Sequence, residues 1–150
     1  MKAISLWQPW ASLWARKRKI YETRHWATPY RGRLAVHAAK KLCTDISDEL
    51  RAILEDEFGA HWALDLPRGA LIATANLVRC YPTGSILDLG LISKEEETQG
   101  DFTPGRYAWR VANMIELPQP IPYIGRQSLF EVHDEVFGLP PAMPAQQTLL

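Results

Sequence analysis

The chain has 150 residues, 47% hydrophobic and 23% charged, and its 17 basic and 17 acidic side chains balance to a formal charge of zero. Those proportions suit one globular domain, exclude a disordered chain, and leave no apolar run near the ~20 residues of a transmembrane helix. Pro9 interrupts the first segment before a signal peptide's apolar stretch can form. Cys43 and Cys80 share no Cys-x-x-Cys or Cys/His spacing, which argues against a zinc knuckle or disulfide framework and fits a cytoplasmic protein.

In chain order, Ala3–Leu6 predicts a short first strand, and Pro9 suits the first turn of a helix carrying Trp10, Leu13, Trp14 and Lys17 at helical spacing. The basic run Arg16–Lys19 favours that helix's C-terminus through its dipole, and Trp10 and Trp14 are expected in the core. Ile20–Arg24 is β-branched and aromatic enough for a second strand. After a turn at Ala27–Gly32, Arg33–Ala39 predicts a third. Asp45–Glu49 opens an acidic amphipathic helix that runs to Phe58 and stops at Gly59. Ala70–Val78 is apolar on both faces, Tyr107–Val111 alternates, and Ser128–Val132 supplies a last strand. Residues 84–105 predict a long loop with a helical turn, Glu95–Glu97 being its solvated start. Residues 138–150, with three prolines, predict an extended tail after a domain of residues 1–137. Five or six short strands, two main helices and no βαβ rhythm predict an α+β fold built on a small mixed barrel.

The zero net charge hides an asymmetry. Residues 1–41 hold ten basic side chains against the single acid Glu22, a balance of +9 that leaves −9 on residues 42–150, and four of the six tryptophans lie in the same basic third. Cations among aromatics suit a phosphate backbone with stackable bases, or equally a solvated basic helix end beside a tryptophan core. Within this third, Lys19, Glu22 and Arg24 fall inside six residues. On a strand Glu22 and Arg24 share a face, and the long stem of Lys19 can swing toward it. Such a trio can form a self-compensated ion network, or can hold a phosphate or base edge with Glu22 as proton acceptor.

The pattern Lys19-x-x-Glu22-x-Arg24 resembles the signature of the ASCH domain, a family of PUA-like RNA-binding barrels. Leu6–Ala11, Tyr30–Gly32, His37–Lys40, Gly105–Trp109 and Gly125–Phe130 match further motifs in the family's order, covering residues 3 to about 133. The resemblance implies a β-barrel with the first helix at one rim and a cleft lined by the signature residues. It also implies binding of single-stranded RNA or a nucleotide, some members being reported as ribonucleases and a small bacterial type as an amidohydrolase of N-acetylated cytidine nucleosides. In that type the motif lysine, matched by Lys19, activates a threonine. Glu22 stands at the threonine position here, Thr23 belongs to the opposite strand face, and Lys17 replaces a usual glycine.

Three functions therefore stand open. In the first, metal-independent cleavage, Glu22 takes the 2′-hydroxyl proton while Lys19 and Arg24 stabilise the phosphorane. The second is amide hydrolysis on a modified nucleoside, and the third a non-catalytic reader. Lys19, Glu22 and Arg24 are the expected catalytic set; Gln8, Lys17, Trp26, His37, Lys40, Tyr107 and Trp109 are the expected nucleic-acid contacts. No cofactor or metal is expected, because His25, His37, His61 and His133 share no ligand spacing. Ser5, Ser12 and Cys43 lack an adjacent base motif, so no such nucleophile is expected.

Overall fold

The computed structural model of the protein describes residues 1–138, so the expected tail lies outside the described residues apart from Gly138. Six strands form one mixed sheet: β1 (Lys2–Gln8), β2 (Tyr21–Arg24), β3 (Gly32–Leu42), β4 (Ala70–Pro82), β5 (Tyr107–Pro122) and β6 (Phe130–Glu131). Their order is β2-β5-β4-β3-β1-β6, so the sheet ends in edges at β2 and β6 and does not close into the expected barrel. The pair β1–β3 is parallel and every other pair is antiparallel.

Burial explains the strands. Residues 70–75 of β4 are buried without a break, as a strand covered on both faces requires. One core gathers Ile4, Leu6, Trp14, Leu34, Val36, Ile72, Leu77 and Trp109. A second joins Leu13 of α1 (Trp10–Ala15) to Leu50 and Leu54 of α2 (Asp48–Phe58) and to Trp62 of α3 (Trp62–Asp65). Ser47 caps α2 by accepting from the Leu50 N–H, so that helix starts three residues later than Asp45 suggested. The expected loop at 84–105 contains two short helices, α4 (Thr83–Asp88) and α5 (Lys94–Thr98).

The first helix positions the site through its two ends. Gln8 is fully buried; its amide accepts from the Ser12 N–H and donates to the Ser12 hydroxyl and the Pro67 carbonyl. It therefore satisfies one N–H of the first turn and ties the approach to β4 to it, with both amide atoms already engaged. At the other end α1 stops before the basic run instead of including it. The Arg18 and Lys17 N–H groups donate to the Leu13 and Trp14 carbonyls, a Schellman closure with Lys17 left-handed at φ 64°. Lys17 occupies the position where glycine is expected, and its side chain is exposed. Lys17→Gly should raise stability by about 0.5–1 kcal/mol, read as a higher urea midpoint at an unchanged slope. A lower midpoint would show that the lysine makes a stabilising contact.

Candidate nucleic-acid interface

The turn after α1 delivers Lys19 beneath β2, and strand alternation brings Glu22 and Arg24 to the same face. Lys19 Nζ donates to Glu22 Oε1, and Arg24 Nε lies 3.0 Å from Glu22 Oε2. The Lys19 side chain is 1% exposed and that of Glu22 10%, so this is a buried ion network with a formal charge of +1. Arg24 Nη2 donates to the Ser5 carbonyl at 2.8 Å, which ties the trio to β1. Trp109 pairs with Glu22 across the β2–β5 ladder and backs the network from the core, its indole N–H donating to the Trp26 carbonyl at 3.1 Å.

Two adjoining cavities open on this network. The first encloses about 500 Å³ between Lys19, Glu22, Arg24, Trp10, Gln99 and Arg106. The second encloses about 920 Å³ and is walled by Trp26, His37, Lys40 and the Tyr123–Ser128 loop. Ser5, Trp7, Arg24 and His25 line both, so they form one groove across the rim of the sheet. The first cavity mixes signs, with Asp101 and Glu22 facing Lys19, Arg24 and Arg106. Hydrogen bonds from the Thr103 hydroxyl and N–H hold the Asp101 carboxyl below its ordinary value. The second cavity has Arg24, Lys40 and Arg126 on its walls and no acidic residue.

Two buried side-chain polar atoms have no hydrogen-bond partner among the described residues, Arg24 Nε and Gln99 Oε1, and both belong to residues lining the first cavity. The Gln99 amide is oriented by its Nε2, which donates to the Arg18 and Glu95 carbonyls. The Arg24 Nε–H sits beside Glu22 but out of line for a hydrogen bond. At this cavity the desolvation of the Gln99 acceptor is thus uncompensated, and that of the Arg24 Nε–H is offset only by its ion pair with Glu22.

Of the expected site residues, Lys19, Glu22, Arg24, Trp26, His37 and Lys40 meet along this groove. Gln8, Tyr107, Trp109 and Lys17 line neither cavity. Trp109 is fully buried, Tyr107 packs against the central core, and Lys17 borders a separate hollow beside Arg110. Trp10, expected in the core, is half-buried and lines the first cavity; Trp14 is buried as expected. Sequence reasoning assigned no site role to Ser5, Trp7, His25 or Arg106. Trp7 is 49% exposed, with Lys41 Nζ 4.0 Å from its ring centroid, and its two-residue spacing from Ser5 was the available signal. Glu96 is also corrected: it is buried, not solvated, and its carboxylate accepts from the Ile20 and Tyr21 N–H groups at 2.8 and 2.9 Å.

Half of the ten basic side chains in residues 1–41 are paired internally. Arg16 and Arg18 pair with Asp56, Glu57, Glu95 and Glu116, and Lys2 pairs with Glu131. Among the described residues Lys17, Arg31, Arg33, Lys40 and Lys41 form no ion pair, which narrows the free charge from +9 to a few positions. No helix of the described residues is long and apolar enough to cross a membrane.

A family model of the ASCH domain matches residues 4–120. The chain is 40% identical over 80 residues to activating signal cointegrator 1 of Homo sapiens and 38% identical to the Mus musculus protein. Each match covers 51% of this chain and only 14% of the relative's length. The crystal structure of the ASCH protein of Zymomonas mobilis has the same fold, at TM-score 0.53 and 15% identity over 91% of this chain and 90% of that one. A point mutant of that protein gives 0.55 and 16%, over 91% and 93%. The chain belongs to the ASCH domain family, a PUA-like family thought to bind RNA.

Proposed function

We propose that the chain binds a nucleotide of single-stranded RNA, with a base in the first cavity and neighbouring phosphates in the second. The observation that carries this reading is the buried, unpartnered acceptor Gln99 Oε1 at the first cavity, beside an Arg24 guanidinium whose Nε is held by Glu22 through an ion pair alone. A base edge presents donors and acceptors side by side, and single-stranded RNA leaves that edge free. Lys40 and Arg126 meet no acid in the second cavity, which suits phosphate. Trp7 supplies an exposed face on which a base can stack.

The test is anisotropy titration of a labelled single-stranded RNA hexamer over a range of salt. Affinity should fall with salt, with a slope of about −0.7 per phosphate neutralised. The double variant Lys40→Ala/Arg126→Ala should reduce that slope by about one to two. Trp7→Ala should cost about 1–3 kcal/mol and leave the slope alone. Salt-independent affinity, or none at micromolar protein, would sink the proposal.

The Glu22 carboxylate between two cations also supports a second reading, metal-independent cleavage with Glu22 as base for the 2′-hydroxyl. Glu22→Gln should then lower turnover by about 10²–10⁴-fold while binding persists; cleavage equal to the parent's removes Glu22 as the base. Amide hydrolysis on N-acetylated cytidine would need water activated by Glu22 or Lys19. The Thr23 hydroxyl is engaged, accepting from the Asp101 N–H.

A further inference from the structure

We propose that Ser5 and His37 form a nucleophile–base pair that hydrolyses carboxylic esters of anionic compounds. Parallel pairing of β1 with β3 sets Ser5 directly opposite His37, so a base 32 residues away in sequence arrives beside the hydroxyl. Ser5 Oγ lies 2.8 Å from His37 Nδ1, and His37 Nε2 lies 2.7 Å from the Tyr123 carbonyl oxygen. A carbonyl oxygen only accepts, so Nε2 carries the ring proton. Nδ1 of the neutral ring is then the acceptor, and the Ser5 hydroxyl donates to it. Nucleophile, base and orienting group stand in the order an activated serine requires, with a backbone carbonyl in the orienting place. Burial pushes the His37 imidazole below its ordinary value, which keeps it in the basic form at neutral pH.

The loop that follows Tyr123 is fitted to this pair. A Cβ on Gly125 would lie 2.6 Å from His37 Cε1, 2.8 Å from Nδ1 and 3.0 Å from Ser5 Oγ, so the position requires glycine. The Gly125 and Arg126 N–H groups make no hydrogen bond among the described residues and adjoin the cavity, where they can serve a developing oxyanion. The cavity's charges set the substrate class: Arg24, Lys40 and Arg126 with no carboxylate favour an ester that carries negative charge.

The chemistry balances with water as the only co-reactant. Ser5 Oγ bonds to the ester carbonyl carbon as its proton passes to His37 Nδ1. The carbon–oxygen bond to the alcohol then breaks, and the alcohol leaves with that proton. Water attacks the acyl-serine and gives its proton to Nδ1. That proton returns to Ser5 Oγ as the carboxylic acid departs.

Intact protein should react with a fluorophosphonate probe, releasing fluoride, at one label per chain on the peptide containing Ser5. It should hydrolyse 3-acetoxy-4-nitrobenzoate at least tenfold faster than neutral p-nitrophenyl acetate, relative to buffer. Ser5→Ala should abolish both reactions, and His37→Gln should slow labelling by about 10²–10⁴-fold. Because His37 is packed in the core, the parent's pH profile gives a second readout. Labelling should rise to a plateau with a midpoint below about 6.5. The groups facing His37 are Ser5 on β1, the Tyr123 carbonyl and Phe130 on β6, with Arg24, His25, Lys40 and Arg126 as the titratable or charged groups around the cavity. A label elsewhere, no label, or ester turnover unchanged in Ser5→Ala overturns the proposal. None of these readouts needs RNA, so loss of the RNA reading and loss of this one are distinguishable.

Discussion

Glu22→Ala should destabilise the fold by about 3–5 kcal/mol, because it strands the Lys19 ammonium, 1% exposed, without its carboxylate. Arg24 suffers less, since it reaches solvent and keeps the Ser5 carbonyl. Replacing the buried pair together, as Lys19→Met/Glu22→Leu, removes both desolvation costs and should recover most of that loss. Urea denaturation of parent, single and double variants measures the difference. The double variant also separates architecture from recognition. If the trio exists to hold a ligand, the stable double variant loses RNA binding; if it binds the hexamer as the parent does, the network is structural.

This network was legible in the sequence because everything that builds it is local. Lys19 lies three residues before Glu22, strand alternation puts Arg24 on the same face, and both outcomes follow from backbone geometry alone. The Ser5–His37 pair was invisible because it depends on the register of a parallel ladder, which no local pattern encodes. Alternation predicts a strand only over Tyr107–Val111, whereas β5 runs on to Pro122 through Pro118 and Pro120. β2 covers β5 only as far as Arg110, so beyond it one side of β5 is an edge of the ladder, where a missing N–H costs little. The +9 segment misled for a different reason. Composition counts charges but not partners, and the acids that meet Arg16 and Arg18 lie 38 to 100 residues away.

Three adjacent glutamates look alike in sequence, yet only Glu96 turns inward, and its removal should have the second large effect. Glu96→Ala leaves the Ile20 and Tyr21 N–H groups at the start of β2 without acceptors, a loss of about 2–4 kcal/mol. Glu96→Gln keeps one acceptor and should cost less. Burial raises the Glu96 carboxyl above its ordinary 4.5, outweighing the two N–H donors and Lys19, which pull it down. The folded state therefore holds this proton more tightly than the unfolded state. The stability so contributed is full below about pH 4.5 and is lost as pH rises through the raised value. Relative to Glu96→Gln, the parent should gain stability as pH falls from about 7 toward 4.5. Asp101 and Glu131, both held below their ordinary values, act in the opposite sense at lower pH and cancel between the two proteins. Denaturation curves of both proteins at stepped pH give the difference directly. A difference that stays flat across that window would mean that burial does not outweigh the two N–H donors and Lys19 at this carboxyl.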